Sequence, residues 1–213
     1  MKIAIFGCSG FASELADICD ALDFKEIVYL SEGSAKGSRD GLSIFPEAMA
    51  YDLASQGYVF AIGVATPSVR KKIALNFPDL DYVNLIHPSA TFGRLQRQIL
   101  DSACGVVIAA GVRFMSGIAV MDFSVVSMNA TIGHNSRLGK FSIVMPGSNV
   151  SGFVDVGNSA YIGTNATILQ GSEDAYLELC DELIIGAGAV VTMSLNKPTT
   201  YVGVPAKELK LQR

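Results

Sequence analysis

Residues 124–147 read "SVVSMN ATIGHN SRLGKF SIVMPG", four six-residue units in unbroken succession. Each unit opens with Ser or Ala, and its third place holds an aliphatic residue: Val126, Ile132, Leu138 and Val144. The same phase runs outward from there. Stepping by six from Ile108 meets Phe114, Val120, Val126, Ile132, Leu138, Val144, Val150, Val156, Ile162 and Ile168, eleven apolar positions without a gap. In a chain that is half apolar, chance gives such a run roughly once in two thousand trials. Two places before each of these positions, seven of the eleven residues are Ser or Ala and the rest are Val or Ile. Gly133, Gly139, Gly157 and Gly163 directly follow an aliphatic position.

Short parallel strands stacked in a triangular coil require this pattern. One bulky aliphatic per side fills the interior, and a small residue fits near each corner, where the walls converge. Glycine suits turns of unusual φ/ψ. Such hexapeptide repeats specify a parallel β-helix, whose rungs bury nothing alone and are stable only when stacked. The beat stops after Ile168 and returns out of phase at Ile185 and Val191, so 170–183, "QGSEDAYLELCDEL", is expected to project as a loop from one corner. The end of the chain leaves the coil, and "AKELKLQR" (206–213) is expected to form a short helix.

Residues 1–86 follow another rule. "KIAIFG", "EIVYLSE", "YVFAIG" and "YVNLI" read as strands, and "FASELADICDAL" and "PSVRKKIALNF" as helices. Strand–helix alternation of this kind predicts a small parallel α/β sheet. The expected organisation is an α/β domain over 1–86, a junction over 87–105, a left-handed β-helix over 106–196 with the 170–183 insertion, and a tail over 197–213.

Composition narrows the function. A net charge of −4 with scattered Lys and Arg leaves no footprint for nucleic acid, and the short basic run "VRKK" (69–72) is read as a solvated face. Four cysteines, widely spaced and without a CxxC pair, suit reduced thiols in the cytoplasm. The apolar stretch around 103–121 contains Arg113 and several glycines and keeps the hexapeptide period, so no membrane span is expected. Only two histidines occur, His87 and His134, and only His134 lies in the repeat. A three-histidine zinc site is therefore excluded and no metal is expected.

Two places carry candidate chemistry. "FGCSGFASEL" ends a strand and opens a helix, where backbone N–H groups can receive a phosphate. Glu32 follows Gly10 by 22 residues, near the spacing of a ribose-binding acid. Gly7-Cys8-Ser9-Gly10 is not a full GxGxxG, and the α/β region is half the size of a dinucleotide fold; it suits a mononucleotide or nucleotide-sugar. His134 stands two places after Ile132, at an outward or corner position, and histidine is the natural general base near neutral pH. His87, beside Pro88 at the junction, is read as a structural hydrogen-bonding residue.

Taken in order, "GCSGFASE", "AIGVATPSVRKK", "NLIHPSA", the hexapeptide coil with its histidine, and "GVPAK" (203–207) resemble the bacterial sugar O/N-acetyltransferases of the sialic acid O-acetyltransferase and bacillosamine-pathway N-acetyltransferase type. The resemblance covers nearly the whole chain. It implies a homotrimer of left-handed β-helices, acetyl-CoA between neighbouring subunits, a nucleotide-linked amino sugar on the N-terminal domain, and His134 as the base. Ser9, Gly10, Phe11, Ser31, Glu32 and Gly63 match the family's nucleotide-sugar positions. Thr164, Gly186 and Ala187 match its acetyl-CoA positions; Lys197 or Lys207 could meet a CoA phosphate, and each reads first as a plain surface lysine. The chain departs from the pattern twice: Asn135 stands where an acid usually follows the histidine, and Phe11-Ala12 stand where a His-Gly pair is common. The implied activity is N-acetylation of a nucleotide-linked 4-amino-4,6-dideoxy sugar, with O-acetylation of a sialic acid-type sugar and a silent nucleotide-sugar-binding scaffold as alternatives.

Overall fold

The computed structural model describes residues 1–33 and 37–210. The N-terminal part is a five-stranded sheet built from β1 (Lys2–Phe6), β2 (Glu26–Ser31), β3 (Gly37–Arg39), β4 (Leu42–Pro46) and β5 (Tyr58–Ile62), in the order β3-β4-β2-β1-β5. All neighbours are parallel except β3 and β4. That hairpin is an addition to the expected sheet. Its turn is Asp40-Gly41, both at positive φ, a pair that marks a tight hairpin in sequence as well. Helix α1 (Gly10–Ala21) covers one face of the sheet, and α2 (Ala50–Ser55) and α3 (Pro67–Asn76) lie with the other.

The rest of the chain winds into a coil of three parallel faces. The first face runs from Leu85–Ile86 through Val107–Ile108, Val125–Val126, Ile143–Val144, Tyr161–Ile162 and Ile184–Ile185 to Thr200–Val202. The second runs from Thr91–Phe92 to Val190–Val191, and the third from Ala119–Val120 to Leu177–Leu179. The eleven apolar positions all point inward; ten are at most 1% exposed and Val120 is 6% exposed. The corners turn through left-handed backbone three places after the inward residue, at 123, 129, 135, 141, 147, 153, 159 and 165, each with φ between 55° and 70°. Asparagine holds three of these sites, because its short polar side chain tolerates that conformation.

Three expectations change. The coil starts earlier than 106: Leu85–Ile86 and Thr91–Phe92 already pair with its first full turn. Their third partner is replaced by a short helix, Gln96–Ile99, which hides the six-residue beat. The projecting loop is shorter than 170–183, since Leu177–Leu179 pairs with Val154–Val156. Val107 and Val125 stack 18 positions apart, whereas Tyr161 and Ile184 stack 23 apart. That turn is therefore five residues longer. Finally, the tail makes no helix over 206–210: Lys207–Glu208 pairs antiparallel with Thr200–Val202, and 211–213 lie outside the described residues.

The two parts are joined along the first face of the coil. Its outward residues Val107, Val125 and Ile143 are at most 1% exposed and pack in one cluster with Ala12, Leu15 and Ile18 of α1. On the other faces the equivalent residues include Arg113, Thr131, Arg137 and Asn149, all exposed. Burying an aliphatic side chain contributes about 1.5–3 kcal/mol, so these three rungs hold the domain in place.

Arg70 completes the joint and overturns the reading of 69–72 as a solvated face. It is fully buried while Lys71 and Lys72 are exposed. Its guanidinium donates to the carbonyls of Ile62 and Val64 (3.3 Å to the latter) in the α/β domain, and to Phe123 (3.0 and 3.1 Å) and Gly105 (3.5 Å) at coil corners. Burial lowers its pKa to about 9, so it remains a cation at neutral pH. Its charge is met by carbonyl dipoles from both domains. Replacing Arg70 by Met strands these acceptors, and a loss of roughly 3 kcal/mol in urea unfolding is expected. A loss below about 1 kcal/mol would show that the apolar face alone holds the domains.

Candidate active site

His134 stands at the corner after the second face, one residue beyond Gly133. The rungs on either side hold its backbone: its carbonyl accepts the Phe153 N–H (3.0 Å), and the N–H of Asn135 donates to Ser116 O (3.1 Å). The imidazole is exposed. Its Nδ1 lies 3.1 Å from Oδ1 of Asn135, and its edge meets the Phe153 ring at 5.0 Å and 88°. Beneath it is Gly152. A Cβ there would stand 2.8 Å from Cε1 and Nε2 of the imidazole, so the ring occupies space that any other residue at 152 would fill.

This geometry sets the ring's chemistry. An amide oxygen only accepts, so the proton of the neutral imidazole sits on Nδ1 and the Nε2 lone pair is left free. Asn135 has a second duty as the left-handed corner residue, with φ at 58°. A residue able to take that backbone and also accept from the ring is confined to a few types, of which Asn and Asp are the natural ones. Beyond Phe153 the ring contacts continue to Tyr176, at 5.6 Å and 86°, and the Arg137 guanidinium lies 5.2 Å over Tyr176.

The C-terminal ends of the parallel strands, where α/β folds receive ligands, form a crevice lined by Gly7, Ser31, Glu32, Val64, Val69 and Lys72. Gly7 has φ at 99°, and a Cβ on it would meet Gly63 O at 2.9 Å. Ser31 and Glu32 both line this crevice, with Lys72 paired to Glu32 at 3.5 Å. Ser9 precedes α1 without a side-chain capping bond and Gly10 opens it, both exposed. Gly63 stands directly behind the crevice residue Gly7 and is itself buried, with Ile5 and Ala12 within 2.8 Å of where its Cβ would be. Phe11 turns towards the coil and lines a separate pocket with Glu14, His87, Ala109 and Met128. Burial and then Asp17 raise the pKa of Glu14 there. His87 receives the N–H of Ser89 at 3.0 Å on Nδ1.

Thr164 stacks with Gly186 and Ala187 on consecutive rungs, and the Thr164 carbonyl accepts the Gly188 N–H at 2.9 Å. That column follows the first face of the coil, whereas His134 follows the second. Within one chain the histidine and these residues stand at different corners. Lys197 approaches Glu208 at 3.9 Å, and Lys207 lies in the last strand. Among the described residues, no group of three His, Cys, Asp or Glu could hold a metal ion, and no helix is long and apolar enough to cross a membrane. Gly152, Phe153, Tyr176 and Lys72 escaped the sequence reading. The first three stand one rung or more away from His134, and six-residue periodicity alone does not say which corners stack.

Residues 2–77 match the PglD N-terminal domain family. Over 159 residues, 71% of this chain and 67% of the relative, the sequence is 26% identical to a GDP-perosamine N-acetyltransferase of Escherichia coli O157:H7. The acetyltransferase domain of PglB from Neisseria gonorrhoeae FA1090, also solved in complex with acetyl coenzyme A, matches with a TM-score of 0.86 at 27% identity, over 98% of this chain and 98% of that complex. PerB from Caulobacter crescentus, in complex with CoA and GDP-perosamine, matches with a TM-score of 0.87 at 25% identity, over 99% and 98% of the two chains. The chain thus joins a sheet domain that matches the PglD N-terminal family to a hexapeptide coil, and along nearly its full length it is similar to bacterial acetyltransferases.

Proposed function

We propose that this chain transfers the acetyl group of acetyl-CoA to the amine of a nucleotide-linked 4-amino-4,6-dideoxy sugar, with His134 as the general base. The observation that carries this reading is the Nδ1 contact with Asn135, which leaves Nε2 free to accept a proton. The neutral amine attacks the thioester carbonyl, Nε2 takes the proton lost by the attacking nitrogen, and the CoA thiolate leaves. The strand-end crevice with Ser31, Glu32 and Lys72 is suited to the nucleotide portion, and the exposed N-terminus of α1 at Ser9 and Gly10 to a phosphate. The acceptors bound by PerB and named for the Escherichia coli relative support this substrate class.

Acetyl-CoA is placed along Thr164, Gly186 and Ala187. Because that column and His134 occupy different corners, the reading calls for a homotrimer in which one chain supplies the histidine and its neighbour the acetyl-CoA column. Met115, Leu169 and Met193, exposed by 47%, 38% and 67%, follow strands of the second face, as His134 does, and form an apolar column that a neighbouring subunit would cover.

Thiol release from acetyl-CoA, with UDP-, dTDP- and GDP-linked amino sugars as acceptors, tests the assignment. His134→Ala should lose at least about a hundredfold in kcat; full activity in that variant removes the base. Turnover with no acceptor supports the scaffold reading instead, and turnover with a hydroxyl acceptor alone supports O-acetylation. Asn135→Asp keeps a residue that tolerates the left-handed corner but sets a carboxylate beside the ring. That carboxylate favours the imidazolium over the neutral ring. Since the base works unprotonated, the acid limb of the kcat/KM profile should move to higher pH. Gly152→Ala should push the ring aside and lower kcat by about tenfold or more, with little change in the melting temperature.

A further inference from the structure

The five-residue lengthening of the coil is tied to the candidate base at both ends. Gly171 N–H donates to Gly152 O at 3.1 Å, and Leu177 N–H donates to Phe153 O at 3.0 Å. Between them Ser172 and Ala175 close the turn on themselves, with N···O distances of 2.8 and 3.2 Å. The turn ends at Tyr176, whose ring stands edge-to-face against Phe153, as Phe153 does against His134. Behind Tyr176 the Arg137 guanidinium covers the ring and is itself held by Asp155 at 3.3 Å. Phe153 sits at a corner with φ of 57°, a backbone unfavourable for a bulky residue. Placing an aromatic ring there carries a conformational cost, and the ring it places is the one that touches the imidazole.

We infer that Tyr176 is a positioning residue for the acetyl transfer proposed above: it backs Phe153 so that Phe153 keeps the His134 ring on its Asn135 hydrogen bond. The inference rests on His134 being the base. Leu177 pairs with Val154, so Tyr176 stands in register on the rung above Phe153, as Phe141 does above Phe123; without a ring there the Phe153 ring would face water on that side and could rotate away. Edge-to-face pairs contribute about 0.5–1.5 kcal/mol beyond their buried area. That is enough to bias a surface imidazole between two orientations. The contact uses the aromatic ring and leaves the hydroxyl idle.

With only two histidines in the chain, the imidazole signals in a proton NMR spectrum of the full-length protein are assigned by the His134→Ala variant alone. Tyr176→Ala should shift the His134 signal and leave that of His87 in place. It should lower kcat about tenfold while KM for acetyl-CoA stays within about twofold, and Tyr176→Phe should restore both. Tyr176→Leu, which keeps an apolar body in the turn, should behave as Tyr176→Ala does and separates lost orientation from lost folding. An unmoved His134 signal with unchanged kcat in folded Tyr176→Ala overturns the inference, as does a rise in KM alone, which would make Tyr176 a substrate contact. Full activity in His134→Ala removes His134 as the base and leaves acetyl transfer standing, while the NMR shift still reports whether Tyr176 orients the ring.

Discussion

The architecture depends on one backbone constraint, a left-handed residue recurring at the corners of the coil. From 123 to 165 every sixth residue, three places after an inward apolar one, turns through positive φ. That repeated turn makes three flat faces out of two-residue strands and brings residues 18 apart into register. It also decides what a corner can display. His134 leads into such a turn at Asn135, and the next rung makes its own turn at Phe153, so the ring, its amide partner and its aromatic neighbour are set by the same geometry.

The second element is the joint between the domains, which combines unlike interactions. Val107, Val125 and Ile143 contribute a non-directional apolar seat. Arg70 adds direction, since its five N–H groups point to carbonyls whose positions come from both the sheet and the coil. An apolar seat alone tolerates sliding; a buried guanidinium with dipoles as its only partners does not, because displacement leaves a charge without solvation. The strand-end crevice and the coil are thereby held in a fixed relation within one chain.

Much of this was legible in the chain itself. The hexapeptide beat announced the coil because each rung repeats one chemical requirement, and the α/β alternation announced the sheet. The docking face was legible too, in every third strand of the coil: Val107-Ile108, Val125-Val126 and Ile143-Val144 are apolar on both sides, whereas Arg113-Phe114 and Thr131-Ile132 are not. Arg70 was not, because a basic residue among lysines looks solvated until the carbonyls it meets, 35 and 53 positions away, are brought to it. His134 and Asn135 stood out by residue type. Tyr176 was hidden inside an irregular stretch that reads only as a break in the pattern, since ring contacts across rungs have no sequence period when the rung length changes.

Gln96 bears on how long the coil is. Its side-chain amide donates to Ile118 O at 2.6 Å and accepts the Ile118 N–H at 2.8 Å, imitating the missing strand of the third face. A solenoid of parallel strands is an open ladder whose terminal rungs invite another molecule to add on. Here one glutamine plugs the lower end of one face, and the antiparallel Lys207–Glu208 strand runs against the grain at the upper end of another. Polymerisation into fibres is discouraged at those edges by single small devices, and they leave the middle free. Whole turns can be inserted or lost between the two plugs without rebuilding either of them.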